Sequence, residues 1–266
     1  MIDTFILGTG NLSNTLKKNL DKSEVYSAKK FLKDINLINQ KKKINLIINS
    51  FYSSARLKKI DSYSFFTNKS IFQIAKILDL LNPKVINKII YTSSSSVYGS
   101  LNKKTNLKDD NNRNIYAAFK FSAELLIKNF CEKNNIKFII CRLFNMYGEN
   151  DNFSIVQKLQ TAKRSNQKVV IFNNGKSVRD YIHIDDVVTI YERILKTDIS
   201  SGFYDVGTGK GVSLIGLIKK LNLKKENIVH KKKFITEISR SIANNKNLIK
   251  KIKRIEFQTI DDYLCK

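Results

Sequence analysis

The stretch TFILGTGNLS, residues 4–13, decides the fold of this chain. Its first four residues form an apolar run typical of a buried strand, and a helical pattern follows. Between them, Gly8 and Gly10 permit a tight turn and the close approach of a pyrophosphate to the N-terminus of the next helix. Ser13 stands where the usual dinucleotide fingerprint has a third glycine, so we expect slightly looser packing of helix on strand. The residues predicted here to bind a dinucleotide are Gly8, Gly10, Asn11 and Leu12.

Short apolar runs alternate with helical patterns along the rest of the chain, which indicates a parallel sheet covered by helices. The predicted strands are residues 4–7, 25–27, 44–49, 88–92, 138–143 and 169–172. The predicted helices lie near residues 12–20, 66–81, 116–134 and 155–164. A doubly wound α/β sheet of this kind places its ligands at the carboxyl ends of its strands.

The chain has 266 residues and an apolar content of 42%, enough for a sizeable core. We expect residues 1–148 to form the dinucleotide-binding domain and residues 149–266 to form mainly a smaller substrate-binding lobe. Within that lobe, residues 169–187 are expected to return to the main sheet. No run reaches the roughly 18 uncharged apolar residues that span a bilayer, and no basic leader precedes the first strand. We therefore expect a cytoplasmic protein without membrane contact.

The formal net charge is +25, and 40 of the 48 basic residues are lysines spread over the chain. A surface that binds nucleic acid usually concentrates its basic residues and uses arginine for bidentate contacts. The lysine excess would follow from an AT-rich genome, and we predict no nucleic-acid partner. The positive field would still attract an anionic small molecule.

Two motifs in the middle of the chain suggest proton-relay chemistry, TSSSSVYG at residues 92–99 and YAAFK at residues 116–120. Tyr116 and Lys120 are four residues apart, so on a helix they lie on one face about 6 Å apart. The ammonium would favour the phenolate and lower the pKa of the phenol from about 10. A serine hydroxyl at the end of a neighbouring strand could share a substrate C–OH or C=O with the phenol, as hydride chemistry requires.

The order of these motifs resembles the extended short-chain dehydrogenase/reductase family, which includes nucleotide-sugar epimerases, dehydratases and ketoreductases. The resemblance extends through CRLFNMYG (141–148), GKSVRDYIHIDD (175–186) and YDVGTGKGVS (204–213). It implies a Rossmann fold, an NAD(P) cofactor, a nucleotide-diphosphate sugar as substrate and a homodimer. The implied catalytic residues are Ser94, Tyr116 and Lys120, of which the last two also face the cofactor. The implied substrate contacts are Ser94, Ser95, Asn145 and Arg179.

Some of these assignments leave alternatives open. Ser94 is chosen because it stands four residues before Tyr98, but the neighbouring serines could be in register instead. Arg179, which would grip a diphosphate, could form a structural ion pair with the following Asp180. The sequence His183-x-Asp-Asp could suggest a metal, yet the only other histidine is His230, and a catalytic metal needs about three protein ligands. We predict no metal.

Cofactor contacts beyond the glycine turn are implied at Ser27, Asn49, Ser50 and Asn68. The last three could instead be ordinary hydrogen-bonding residues at loop and helix ends. NAD sites carry an acidic residue after the second strand, whereas Lys29 and Lys30 stand here. Two cations suit a 2′-phosphate, which favours NADP slightly, although the lysine excess makes a chance pair nearly as good an explanation.

The residues after Ser94 reduce the number of reactions that the resemblance allows. Dehydratases of the family place an Asp-Glu pair there, and epimerase-reductases place a cysteine at the second position, but this chain has Ser95 and Ser96. Hydride transfer at a carbon bearing OH or C=O remains. The first hypothesis is a nucleotide-sugar epimerase that acts at C4 through a 4-keto intermediate. The second is an NADPH-dependent 4-ketoreductase, and the third is a non-catalytic dinucleotide- or RNA-binding protein.

Overall fold

A computed structural model describes residues 2–52, 62–99, 115–148, 150–151, 153–231, 238–253 and 255–265. The strands in these residues are β1 (Asp3–Leu7), β2 (Ser23–Tyr26), β3 (Ile44–Ile48), β4 (Ile86–Ser94), β5 (Lys137–Leu143), β6 (Asn145–Tyr147), β7 (Val169–Phe172), β8 (Val178–His183), β9 (Gly202–Val206), β10 (Gly211–Ser213), β11 (Ile228–Lys231) and β12 (Arg240–Ser241). The α-helices are α1 (Asn11–Asn19), α2 (Ala28–Lys33), α3 (Ile35–Ile38), α4 (Tyr63–Thr67), α5 (Gln73–Leu80), α6 (Ile115–Lys133), α7 (Ile155–Ser165), α8 (Ile184–Lys196), α9 (Leu214–Lys220), α10 (Lys246–Ile252) and α11 (Ile260–Cys265).

Six parallel strands form the central sheet in the order β2-β1-β3-β4-β5-β9. The predicted doubly wound α/β fold is therefore confirmed. All five residues of β3 are buried, because helices cover the sheet on both faces. One apolar cluster joins the sheet to α2, α5 and α6, and a second joins it to α1, α8 and α10.

The strand at residues 169–172 exists, but its predicted return to the main sheet is wrong. β7 pairs with β11 in a separate two-stranded sheet, and β8 pairs with β6, β10 and β12. β9 is the sixth strand of the main sheet. Along β7, buried and exposed residues alternate, as expected for a strand with only one covered face.

A third apolar cluster lies outside the main sheet. It joins α7, β7, α9 and α11 around Leu159 and Leu217, both fully buried. This cluster is built from residues 147–264, the part of the chain in which the smaller lobe is expected. No helix in the described ranges is both long and apolar enough to cross a membrane.

A buried lysine ties the main sheet to the end of α8. Lys88 on β4 is 5% exposed, and its Nζ donates to the carbonyl oxygens of Ile194 and Thr197 at 3.0 Å each. These carbonyl groups lie where α8 ends and would otherwise lack an intrahelical donor. The lysine therefore holds the helix against the sheet.

Replacing Lys88 by Met should lower the free energy of unfolding by about 1–3 kcal/mol, because the carbonyl groups lose their donor while staying covered. Denaturant unfolding would measure the loss. The exposed Lys84, four residues earlier, provides the control, and its change to Met should stay within about 0.5 kcal/mol. Equal losses in the two variants would contradict the capping role.

Candidate active site

The turn between β1 and α1 uses its two glycines differently. Gly8 has a φ of +105°, and a Cβ there would lie 2.6 Å from the carbonyl oxygen of Ser50. Only glycine fits this position without strain. Gly10 instead meets nothing within 4 Å and lines a cavity, so its missing side chain leaves room for a ligand at the start of α1.

Ser13 does not loosen the packing as expected. Its side chain is fully buried, and its hydroxyl accepts a hydrogen bond from Asn49 Nδ2 at 2.8 Å. The Oδ1 of Asn49 in turn accepts the hydroxyl hydrogen of Thr92. Serine at the third fingerprint position thus joins α1 to the ends of β3 and β4. Asn49 lines the cavity, but both its side-chain polar atoms bond within the protein.

A cavity of about 810 Å³ opens at the carboxyl ends of the strands, where a doubly wound sheet binds its ligands. Nine of the residues predicted for the site line it, namely Gly10, Asn11, Leu12, Asn49, Ser50, Ser94, Tyr116, Lys120 and Asn145. Five do not line it, namely Gly8, Ser27, Asn68, Ser95 and Arg179. The opposite wall includes Phe153 and Lys158, which no sequence motif singled out.

Lys120 is buried on α6, and two hydrogen bonds fix its side chain. Its Nζ donates to the carbonyl oxygen of Thr92 at 2.7 Å and to Ser50 Oγ at 3.2 Å. It lies 6.0 Å from the centre of the Tyr116 ring. Burial lowers the pKa of Lys120 to about 7, against the attraction of Glu124. Both charge states of this lysine are therefore populated near neutral pH.

Tyr116 differs from expectation in its protonation. Burial is the main cause that raises its pKa well above the ordinary value, and the nearby Tyr52 adds to this, while a hydrogen bond with Ser94 acts in the opposite direction. The prediction that Lys120 lowers this pKa is wrong. The Nζ of Lys120 donates to the carbonyl oxygen of Thr92, and the cost of burying a phenolate is the larger effect on Tyr116. Tyr116 is a protonated phenol at neutral pH.

The structure distinguishes the neighbouring serines, any of which the sequence allowed as the catalytic serine. Ser93 is buried and donates to Glu124 Oε1 at 2.5 Å. Ser94 is partly exposed, lines the cavity and hydrogen-bonds with Tyr116. Its Oγ also accepts from the hydroxyl of Ser96 at 3.0 Å. Of these serines, Ser94 is therefore the one best placed to reach both the phenol and a ligand.

Asn145 lines the cavity, whereas Arg179 does not. The amide of Asn145 donates to the carbonyl oxygen of Asp180 at 2.9 Å. Arg179 shares a face of β8 with Tyr181, which lines the cavity, because side chains two residues apart on a strand point the same way. Asp180 points to the other face, so the alternative of an Arg179–Asp180 ion pair is not favoured.

Asp180 organises the loop after β9. Its side chain is fully buried, and its carboxylate accepts from the backbone amides of Thr208 at 2.9 Å, Gly209 at 2.8 Å and Ala243 at 3.1 Å. A Cβ on Gly207 would lie 2.7 Å from Asp180 Oδ2. The glycines of this loop therefore permit the close approach of backbone to a carboxylate.

Three other residues have local structural roles. The Oγ of Ser27 accepts from the amide of Lys30 at 3.2 Å and caps α2. Asn68 is exposed and accepts from Gln73 Nε2 at 3.1 Å. The Nδ1 of His183 accepts from the amide of Asp185 at 3.3 Å. Cofactor contacts of Ser27 and Asn68 remain predictions, and the described residues contain no group of three or more His, Cys, Asp or Glu side chains that could hold a metal ion.

The sequence analysis gave no role to Glu124 or to Arg142, although Arg142 lies within the motif CRLFNMYG and both lie directly behind the catalytic candidates. Glu124 is fully buried and accepts from Arg142 Nη2 at 2.7 Å. One signal was available, because Glu124 follows Lys120 by four residues and so shares its helix face. Its partner on β5 could not be paired with it from spacing alone.

Fold and site together define a dinucleotide-binding protein of the doubly wound α/β class. The chain belongs to the NAD dependent epimerase/dehydratase family, which it matches over residues 13–207. It is 28% identical over 207 residues to a dTDP-D-glucose 4,6-dehydratase from Dictyostelium discoideum, a match covering 68% of this chain and 45% of that protein. It is 29% identical over 146 residues to an ADP-L-glycero-D-manno-heptose-6-epimerase from Brachyspira hyodysenteriae, covering 50% and 45%.

The chain spans about half the length of the curated relatives it matches. Among solved structures, its fold is similar to that of a UDP-glucuronic acid 4-epimerase from Bacillus cereus in complex with UDP-4-deoxy-4-fluoro-glucuronic acid and NAD. The TM-score is 0.82 at 16% identity, with 99% of this chain and 96% of that chain covered. Dehydratases and epimerases are thus both among its relatives.

The two glycines of the first turn should respond differently to substitution by alanine. Gly10→Ala should leave the free energy of unfolding nearly unchanged but weaken NADH binding about tenfold or more, because its Cβ would occupy the space for the pyrophosphate. Gly8→Ala should destabilise the fold itself by roughly 1–3 kcal/mol. Thermal unfolding and titration of NADH fluorescence would separate the effects, and undiminished NADH binding by the Gly10 variant would contradict the assignment.

Proposed function

We propose that the protein is an NAD(P)-dependent enzyme that epimerises a nucleotide sugar at C4 through a 4-keto intermediate. The convergence of Ser94, Tyr116 and Lys120 on one cavity, next to the open position at Gly10, carries this proposal. Family membership supports it, since the family contains epimerases. The chain's excess of positive charge would attract a substrate with a diphosphate.

The residues of the site suit the two proton transfers of such a reaction. Ser94 would hydrogen-bond the C4 oxygen and share its proton with Tyr116, as their mutual contact allows. Lys120 would stabilise negative charge that develops on the phenol. When bound, the nicotinamide would supply hydride acceptance and return. Asn145 and Arg179 are proposed to hold the sugar and the diphosphate, for which a guanidinium offers a planar fork of donors.

One observation favours a second candidate, a 4-ketoreductase. A tyrosine is ordinarily protonated at neutral pH, and burial raises the pKa of Tyr116 further, so its phenol is ready to donate a proton to a carbonyl oxygen. That step belongs to the reducing half of the cycle. A reductase would use NADPH stoichiometrically, whereas an epimerase would leave the cofactor unchanged after each turnover.

Elimination chemistry is less well supported, although the family includes dehydratases. Ser95 and Ser96 stand where an acid and a base would be needed. Among the described residues that line the cavity, the only carboxylate belongs to Asp151. Its Oδ1 accepts from the amides of Phe153 and Ser154 at 2.9 Å each, and its Oδ2 is buried without a hydrogen-bond partner among the described residues.

We also propose a slight preference for NADP. The first turn of α2, directly after β2, carries exposed Lys29 and Lys30 and no acidic residue. The Nζ of Lys30 lies 4.5 Å from the centre of the Tyr26 ring, which keeps the ammonium at the strand end where the ribose of a bound dinucleotide is expected. A homodimer remains a prediction from the resemblance.

The deciding experiment is incubation with UDP-, dTDP-, GDP- and CDP-sugars and their 4-keto forms, with and without NADPH. Absorbance at about 340 nm follows NADPH, and mass spectrometry identifies the products. An isomer of unchanged mass without net NADPH loss supports the epimerase, and a gain of two hydrogens with stoichiometric NADPH oxidation supports the reductase. Loss of water would overturn both in favour of a dehydratase. RNA binding with a steep salt dependence and no turnover would favour the non-catalytic reading.

Replacing Tyr116 by Phe should lower kcat by about 100-fold or more, because the phenol hydroxyl is the proposed proton donor and acceptor. Binding of NADPH should change little, since the ring remains. The control is Tyr63→Phe, which removes the hydroxyl of a tyrosine that is 71% exposed. Unchanged turnover in the Tyr116 variant would refute its role.

Changing both Lys29 and Lys30 to Ala should weaken NADPH binding about tenfold while altering NADH binding little, because only the 2′-phosphate would lose a charged partner. Isothermal titration with each cofactor measures the ratio. A matched variant with Lys17 and Lys18 changed to Ala, both exposed on α1, removes the same charge elsewhere. If the two double variants lose affinity equally for both cofactors, the preference has another origin.

A further inference from the structure

An ion pair between the fully buried Glu124 and the partly buried Arg142 lies directly behind the proposed site. Glu124 on α6 accepts two hydrogen bonds from Arg142 on β5, from Nε at 3.1 Å and from Nη2 at 2.7 Å. The same carboxylate accepts from the hydroxyl of Ser93 on β4 at 2.5 Å. A bidentate guanidinium and one hydroxyl thus occupy both oxygens of Glu124.

Two aromatic rings lie close to the guanidinium. The Cζ of Arg142 lies 4.7 Å from the ring centre of Tyr98 and 4.7 Å from that of Phe203, a favourable arrangement for a cation. The hydroxyl of Tyr98 donates to Asp205 Oδ1 at 2.5 Å, and Asp205 Oδ2 accepts from the amide of Asn244 at 2.8 Å. The position of Arg142 on β5 is therefore set by Tyr98 in the turn after β4 and by Phe203 on β9.

This pair touches both elements that carry catalytic candidates. Glu124 lies one turn after Lys120 and two turns after Tyr116, on the same face of α6. Ser93, its third partner, immediately precedes Ser94 at the end of β4. A single carboxylate therefore links the helix with the tyrosine and lysine to the strand with the serine.

We propose that Glu124 and Arg142 are positioning residues of the site. As one ion pair without net charge, they hold the end of β4 against α6 so that Ser94 faces Tyr116, and they balance the charge behind Lys120. The role in catalysis rests on the proposed function, whereas the effect on Lys120 does not.

The groups around Lys120 determine in which direction the loss of the Glu124 charge would shift the pKa of Lys120. On its own helix it faces Tyr116 and Glu124, and on β4 it faces the ring of Tyr91 at 4.9 Å. Both tyrosines are neutral, as tyrosine ordinarily is at this pH, and burial raises their pKa values further. Glu124 is the anion that favours the ammonium, and Arg142 lies behind it. Glu124→Gln would remove that anion and leave the guanidinium unpaired, so every pKa nearby should fall.

Titration of Lys120 in the full-length protein tests this without any turnover. With lysine labelled by ¹³C at Cε, NMR would follow its midpoint, and loss of the signal in Lys120→Met would assign it. Glu124→Gln should lower the midpoint by about one pH unit. Glu132→Gln on the same helix, which breaks only an exposed ion pair with Lys128, should leave it unchanged.

A second variant separates charge from damage to the fold. Changing both Glu124 and Arg142 to Gln removes the two charges together, so the midpoint should return toward that of the unaltered protein. The proposal would be overturned if the Lys120 midpoint did not change in a folded Glu124→Gln variant. It would also be overturned if Glu132→Gln changed the midpoint by the same amount. If Glu124→Gln fails to fold, the double variant provides the test instead. A Lys120 midpoint that is lower by a full pH unit in the double variant would contradict the proposal.

Kinetics on the substrate identified by the screen test the positioning role. In Glu124→Gln the pH–rate profile should move to lower pH, and kcat should fall more than KM rises. Ser93→Ala keeps the charges of Glu124 and Arg142 but removes the hydrogen bond from β4 to Glu124. It should lower kcat about tenfold without shifting the pH–rate profile. Unchanged kcat in both variants would refute positioning. If the unaltered protein turns over no sugar nucleotide, the proposed function fails while the NMR result still stands.

Discussion

The hydrogen bonds at the end of β3, where Asn49 and Ser50 stand, hold together the three parts of the site. Gly8 lets the first turn approach the Ser50 carbonyl, Asn49 joins α1 to β4 through Ser13 and Thr92, and the Ser50 hydroxyl receives Lys120 from α6. The turn for the dinucleotide, the strand with the serine and the helix with the tyrosine therefore share one anchor. A shift at this corner would move all of them together.

Much of the fold could be predicted because its signals are local. The apolar runs of the central strands are continuous, since helices bury both faces of the sheet, and Gly8 has a backbone conformation that only glycine adopts easily. Ser94, Tyr116 and Lys120 follow from spacing on a strand end and a helix face. Pairing between strands is not local, which explains the wrong position for residues 169–172. The run at residues 169–172 is the more apolar of the two, whereas β9 reads GFYDV, and only tertiary contacts decide which one joins the sheet.

The electrostatics of the site could not be read from spacing. A lysine four residues from a tyrosine lowers its pKa in water, but here both side chains are buried and the ammonium is bound to a backbone carbonyl. Desolvation therefore outweighs the attraction, raising the pKa of Tyr116 and lowering that of Lys120. The partner of Glu124 was hidden for a related reason, because Arg142 lies on a different element. Burial is thus the main cause of the pKa values of Tyr116 and Lys120.

The carboxylate of Asp180 has a consequence for the boundaries of any shortened form of this chain. It is fully buried and draws donors from two distant places, the loop at Thr208 and Gly209 and the backbone of Ala243. A protein cut before Ala243 would lose one of these donors. The Asp180 carboxylate would then have fewer hydrogen bonds to stabilise its charge. The segment after residue 238 is thus part of the folding unit that shapes the ligand cavity, and domain dissection by limited digestion should not release it as an independent tail.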